Sequence, residues 1–224
     1  MNTYTNDWQD SDIAELVALA GRLGAKPLDL AGCWMNESGL STKAWNRNGD
    51  ASGLFQLMPA TARGLGFFGD MATFRMLSVA QQLHWAEKYY GPHRGQLVTP
   101  GACYLCTFLP AYMPYAGRPL FVLCSPTLHP EWYQANLGFD HTHKGYINVQ
   151  DLTDAMNRAT VGPRWEEFAA RVRAAMEPLP DTLPEVNEMN RDAVTVPDVT
   201  AETFPSSPTI VWDPTTSHDP DEDA

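Results

Sequence analysis

The chain of 224 residues has no apolar run approaching the roughly 20 residues that a membrane-crossing helix requires. A transmembrane segment is therefore not expected. Its first residues, MNTYTNDWQDSD, hold neither a basic stretch nor an apolar one, so nothing marks them as a secretory leader. Cysteine is sparse. Cys33, Cys103, Cys106 and Cys124 sit among apolar neighbours in a chain far larger than the small scaffolds that depend on disulfides, which predicts buried reduced thiols. Cys103-x-x-Cys106 has a zinc-like spacing but no second pair, and Cys124 and His129 could complete a ligand set only if the fold brought them together. His84, His93, His141 and His143 form no ligand pattern. Glycine-rich nucleotide loops, a serine elbow and internal repeats are missing as well, so neither a metal nor a cofactor is expected.

Positive charge is also short. The formal net charge is -12, and ten of those units lie in residues 178–224, where eleven acids meet the single base Arg191. The remaining body is nearly balanced, so its charge names no nucleic-acid partner. Beyond Pro178 apolar periodicity stops and proline recurs among Thr, Asp and Glu. Such composition offers too little apolar surface to offset ordering entropy. The expected division is thus a domain at 1–177 and an acidic, Pro-rich tail at 178–224, disordered or bound to a partner. Thr209-Ile210-Val211-Trp212 is its candidate docking piece.

Within the body, hydrophobic spacing predicts a mainly α fold. Ile13, Leu16, Val17, Ala20 and Leu23 recur at helical intervals, with Asp10 or Ser11 placed to cap and Gly24 to stop. A second helix begins at Pro27, a residue suited to a first turn, and runs out near Glu37-Ser38-Gly39. Residues 39–53, rich in Gly, Ser, Asn and Asp, predict an ordered loop or small β-hairpin. Short helices are expected after Pro59 and Asp70, and longer ones over Val79–Tyr90, from Thr99-Pro100, over Val149–Ala159 and over Pro163–Met176. Residues 117–135 read as short helical pieces separated by Pro119, Pro126 and Pro130.

The chemistry concentrates in residues 30–67. Glu37 ends an apolar segment. A polar loop follows it and closes on Gly53-Leu54-Phe55-Gln56-Leu57-Met58-Pro59. A carboxyl packed against Trp34, Met35, Phe55 and Met58 would keep its proton near neutral pH, because burial disfavours the charged form. Such an acid suits protonation of a glycosidic oxygen. Ser38 and Tyr104 carry hydroxyls able to orient it.

The pair Glu37-Ser38, followed by Gly53-Leu54-Phe55-Gln56 and Met58-Pro59-Ala60-Thr61-Ala62, resembles the soluble lytic transglycosylases of the goose-type lysozyme superfamily. Their third motif, Ala-Tyr-Asn, is matched here by Cys103-Tyr104-Leu105, without the Asn. The run Tyr104-Leu105-Cys106-Thr107-Phe108-Leu109 is similar to the form in phage virion-associated members. The resemblance covers about residues 28–112. It implies a lysozyme-like α-helical domain and cleavage of peptidoglycan between N-acetylmuramic acid and N-acetylglucosamine, with a 1,6-anhydro product. It also implies Glu37 as the acid, Ser38 and Tyr104 as its orienting partners, and Gln56 with the 53–56 backbone as holders of substrate. Gly53, Leu54, Phe55, Gln56 and Met58, with Asn46 and Asp50 from the loop, are the candidate substrate-binding residues. The location implied is a virion, with other virion proteins as partners of the tail. Release as an endolysin and a bacterial wall-remodelling role stay open.

Two further features qualify this reading. Asp50 would make the enzyme a water-using muramidase if it faced Glu37 across about 6.5–9.5 Å; otherwise it serves its own Asn-rich turn. Asp140 to Asp151 outlines a calcium loop, with Gly145 at its sixth position and Ile147 at its eighth. Lys144 stands where a ligand belongs, so the loop is expected to keep its fold without calcium. A virion structural protein with a vestigial glycan cleft is the third alternative.

Overall fold

The computed structural model describes residues 8–47 and 49–177. The tail at 178–224, its docking piece and the opening residues 1–7 lie outside the described residues.

The body is mainly helical: α1 (Asp10–Leu23), α2 (Pro27–Ser38), α3 (Pro59–Gly64), α4 (Met71–Met76), α5 (Val79–Tyr90), α6 (Pro100–Phe108), α7 (Pro130–Ala135), α8 (Val149–Ala159) and α9 (Pro163–Met176). Local chemistry explains most boundaries. Ser78 and Gln81 form a reciprocal capping box at the start of α5, and Asn148 and Asp151 form another at α8. Thr99 Oγ1 accepts from the Ala102 amide at the start of α6 (3.1 Å). Helix α1 begins one residue earlier than its candidate caps: Gln9 is the N-cap, and Asp12 Oδ2 accepts from the Gln9 amide (2.9 Å). The acid three residues into the helix decided that start, so Asp10 became the first helical residue.

Helix α6 is the hub. Gly101 to Cys106 are all buried, and the helix packs on α2 along one side and α8 along another. A Cβ at Gly101 would stand 2.4 Å from Thr153 Oγ1, so glycine is what allows α6 and α8 to approach so closely. On the other side of α2, α1 packs against α2, α5 and α9. Leu16, Leu19, Leu23, Leu30, Leu105 and Leu152 are completely shielded from solvent. Each such burial contributes about 1.5–3 kcal/mol, enough to set the helices around one core.

The segment 117–135 departs from expectation. Only α7 is helical there. Val122–Cys124 form strand β1, paired antiparallel with β2 (Ile147–Asn148). The β2 partner lies beyond any local window, so prolines alone could not reveal the pairing. After α2 the chain forms no continuous hairpin but two isolated bridges, Trp45 with Ser52 and Ser52 with Leu57. No described helix is long and apolar enough to cross a membrane. All four cysteines are free and buried, and burial pushes the thiols of Cys106 and Cys124 up to about 12 and about 11. No cluster of three or more His, Cys, Asp or Glu side chains with metal-binding geometry occurs among the described residues.

The calcium-like loop is held by its own lysine. Lys144 Nζ lies 2.6 Å from Asp151 Oδ1, and the other Asp151 oxygen caps α8 through the Asn148 amide (2.7 Å). Asp140, almost wholly buried, accepts from the Tyr133 hydroxyl (2.7 Å) and from the amides of Lys144 and Gly145 (2.9 and 2.8 Å).

Candidate active site

Glu37 occupies the last turn of α2, and the position of that turn is firmly determined. Gly39 adopts the left-handed conformation that ends the helix. Its carbonyl accepts from Arg164 of α9 (2.6 Å), and the next carbonyl, of Leu40, accepts from the buried Trp8 indole (3.0 Å). Two residues distant in the chain, one before α1 and one in the first turn of α9, thus fix where the carboxyl stands.

The carboxyl opens into a groove of about 510 Å³. Glu37 and Tyr104 lie at its base. One wall is the 44–58 loop, through Ala44, Trp45, Asn46, Ala51, Gln56 and Met58. The other is Thr107 and Phe108 of α6 with Asn136 and Phe139. Behind Glu37 stands an aromatic cluster: Trp34 meets Phe55 and Tyr90 (centroids 6.3 Å apart in each case), and Phe55 meets Tyr89 at 5.7 Å. Removal from water by these walls raises the pKa of the half-buried Glu37 carboxyl; a hydrogen bond from Tyr104 opposes the rise without cancelling it. The Tyr104 hydroxyl also accepts from Asn36 Nδ2 (2.7 Å), which leaves its own proton to face the acid. Burial, with the Glu37 charge nearby, raises the phenol's pKa, so it stays a donor.

No family model matches this chain, and it has no match among curated proteins or solved structures.

The predicted site residues separate into those that meet the groove and those that support it. Glu37, Tyr104, Asn46, Gln56 and Met58 line it, as does Ser38. The Ser38 hydroxyl, however, donates toward the carbonyls of Leu54 (2.7 Å) and Trp34 (3.0 Å). It therefore ties the end of α2 to the loop instead of orienting the Glu37 carboxyl. Leu54 and Phe55 were expected to touch substrate, yet both side chains are buried; their apolar surface went to the core. Gly53 is also behind the wall, with φ +78° and no room for a side chain, since a Cβ would lie 2.4 Å from Gln82 Oε1 and 2.8 Å from Phe74. Gln56 itself sits at φ 50°, an uncommon conformation for a non-glycine residue, and its side-chain amide donates back to the Gly53 carbonyl (3.0 Å).

Asp50 does not line the groove. It is exposed, accepts from the Trp45 indole (2.8 Å), and lies 3.7 Å from Arg75. Its carboxylate serves to set the Trp45 ring, over which the Arg75 guanidinium also stacks, 4.6 Å from the centroid. Glu37 is the sole acidic side chain among the described residues lining the groove.

Several functional residues escaped the sequence reading. Gln82 is completely buried and pins the loop from behind: its Oε1 accepts from the Leu54 amide (2.9 Å), and its Nε2 donates to the Thr42 and Phe74 carbonyls (3.0 Å each). A signal for it existed, since an amide falls on the apolar stripe of Val79, Leu83, Ala86 and Tyr90. Trp45, an indole in a turn-rich loop two residues before Arg47, was equally visible. Asn136 and Phe139 had no local signal, because only the fold of residues 117–148 carries them to the groove.

Proposed function

We propose that this chain is a peptidoglycan lytic transglycosylase with a lysozyme-like domain, acting on the bond between N-acetylmuramic acid and N-acetylglucosamine. The observation that carries the proposal is a single half-buried acid in a groove, its pKa raised by burial. A groove with one carboxyl fits a reaction in which one group serves as acid and then as base. In the first step, protonated Glu37 gives its proton to the glycosidic oxygen as the bond from that oxygen to C1 breaks. In the second, the C6 hydroxyl of the same muramic acid attacks C1 and gives its proton to the Glu37 carboxylate. The anhydro bond forms, the acid is regenerated, and no water is consumed.

Tyr104 supports both steps, because its donor stabilises the transient carboxylate. The third motif lacks its usual Asn, yet an amide stands beside Tyr104, supplied by Asn36 of α2. The engagement of Asp50 by Trp45 and Arg75, outside the groove lining, favours this reaction over the water-using alternative. The form of the Tyr104 to Leu109 run supports placement in a phage particle, for local opening of the cell wall, with the 178–224 tail as the attachment to other virion proteins.

The test is digestion of purified peptidoglycan followed by mass spectrometry. The expected products are one water lighter than hydrolysed fragments, and Glu37→Gln abolishes their formation. Hydrolysed products from the native chain would replace the transglycosylase reading with a muramidase. Undiminished digestion by the Glu37→Gln protein would remove Glu37 from the chemistry. A well-folded native chain that digests no peptidoglycan would leave the groove vestigial.

A further inference from the structure

The groove does not end at Glu37. Asn136 and Phe139 of its wall also border a second concavity of about 490 Å³, which Asn36 of α2 and Arg158 of α8 line as well. Ala135, Gly138, Ala155 and Ala159 complete its surface, and these small residues leave the space open. Arg158 is exposed and takes part in no hydrogen bond or ion pair among the described residues. The acids of its own helix are engaged otherwise. Asp154, one turn earlier, accepts from Gln150 Nε2 (3.0 Å), and Asp151 holds Lys144. No acidic residue lines this lobe.

An unpaired guanidinium in a concavity lined by small side chains and two amides is matched to a planar anion, because its fork of N–H donors meets a carboxylate at two points. The lobe adjoins the groove at Asn136 and Phe139, which line both, and Asn36 borders it while donating to Tyr104. A substituent on the sugar beside the cleaved bond can therefore reach it. We propose that this second lobe is a subsite for a carboxylate borne by the glycan, and that Arg158 is the residue that selects for it. The inference rests on the glycan-cleaving function proposed above and adds a charge requirement to it. Two sources of that carboxylate exist on a peptidoglycan strand, the lactyl group and the peptide stem.

The experiment compares native protein with Arg158→Ala and Arg158→Lys on three soluble substrates. Intact strands carry stem carboxylates, amidase-stripped strands carry free lactyl carboxylates, and carbodiimide-amidated strands carry neither. Arg158→Ala should raise KM by about tenfold to a hundredfold on whichever charged strand supplies the group, the range expected for one charge-assisted contact. The kcat should stay within about threefold, since the chemistry at Glu37 is untouched. Arg158→Lys should fall between, because an ammonium keeps the charge and loses the fork. On amidated strands the three proteins should converge. Equal KM values for native and Arg158→Ala protein on both charged strands would overturn the subsite while leaving the cleavage reaction standing. The same series measured as binding, in a Glu37→Gln background, separates the two failures. Loss of affinity on removing Arg158 without cleavage by the native chain would sink the enzymatic reading and keep the subsite. Unaltered melting temperature in Arg158→Ala, expected for an exposed unpaired side chain, excludes misfolding as the cause.

Discussion

Replacing Gln82 by Met is the most direct test of how the site is held. Methionine nearly matches glutamine in length and volume, so the cavity behind the loop stays filled, while both the donor and the acceptor disappear. Two backbone groups then lose their partners at once, the Leu54 amide and the Thr42 carbonyl, while the Phe74 carbonyl loses one of two donors and keeps the Leu77 amide. Both belong to buried residues, where water cannot readily replace the amide. An unmet buried polar group costs about 1–3 kcal/mol, and the added thioether returns part of that through apolar burial. The expected net loss is about 2–4 kcal/mol, a large share of the roughly 5–15 kcal/mol available to a domain. At about 2–4 °C per kcal/mol for a chain of this size, the melting temperature should fall by roughly 4–16 °C. Urea denaturation gives the free energy, and Gln81→Met is the control. Gln81, the neighbouring amide, is exposed and bonds only within its own capping box, so its loss should cost about 1 kcal/mol or less. A Gln82→Met protein within about 1 kcal/mol of the native chain would refute the claim that this amide pins the loop. Wall digestion by the folded variant should also fall, because Gln56 and Met58 hang from the same loop.

Further predictions concern charge. Burial raises the Glu37 pKa above its ordinary 4.5, so the folded chain holds that proton more tightly than the unfolded one. The corresponding stability is fully present below the ordinary value and is lost as pH rises through the raised one. Glu37→Gln, always neutral, should therefore gain in melting temperature over the native protein between about pH 4 and pH 8, and a gap that narrows with rising pH would refute the assignment. Asp50→Asn should keep activity within about threefold, whereas a general base would cost about a hundredfold or more; rates of wall digestion distinguish them. Lys144→Met should destabilise by about 1–3 kcal/mol in urea titration, because it leaves the Asp151 carboxylate buried without its cation. A change near zero would mean that the pair contributes nothing to the loop.

Much of the architecture was legible because its signals are local. Pro27, Ser78, Thr99 and Pro163 mark helix starts through properties of their own backbone or side chain, and α2, α5, α6 and α9 lie where those residues and the apolar spacing put them. Glu37 and Tyr104 stood out by residue type and neighbours, and both line one groove. The roles of Ser38, Leu54 and Phe55 were not legible, since the same side chain can face a ligand or a core. That choice depends on what packs behind it, here Gln82 and the aromatic cluster.

The sequence by itself determined a helical body, a separate acidic tail composition and one acid placed at the end of an apolar helix, because propensity, capping and charge act over a few residues. Only the tertiary structure decided that Asp50 turns toward Trp45 and Arg75, that Val122 pairs with Asn148, that Asn136 and Phe139 reach the groove, and that Arg158 lines the lobe beside it. Those outcomes bring together residues far apart in the chain, and their energies exist only once the core has closed around α6.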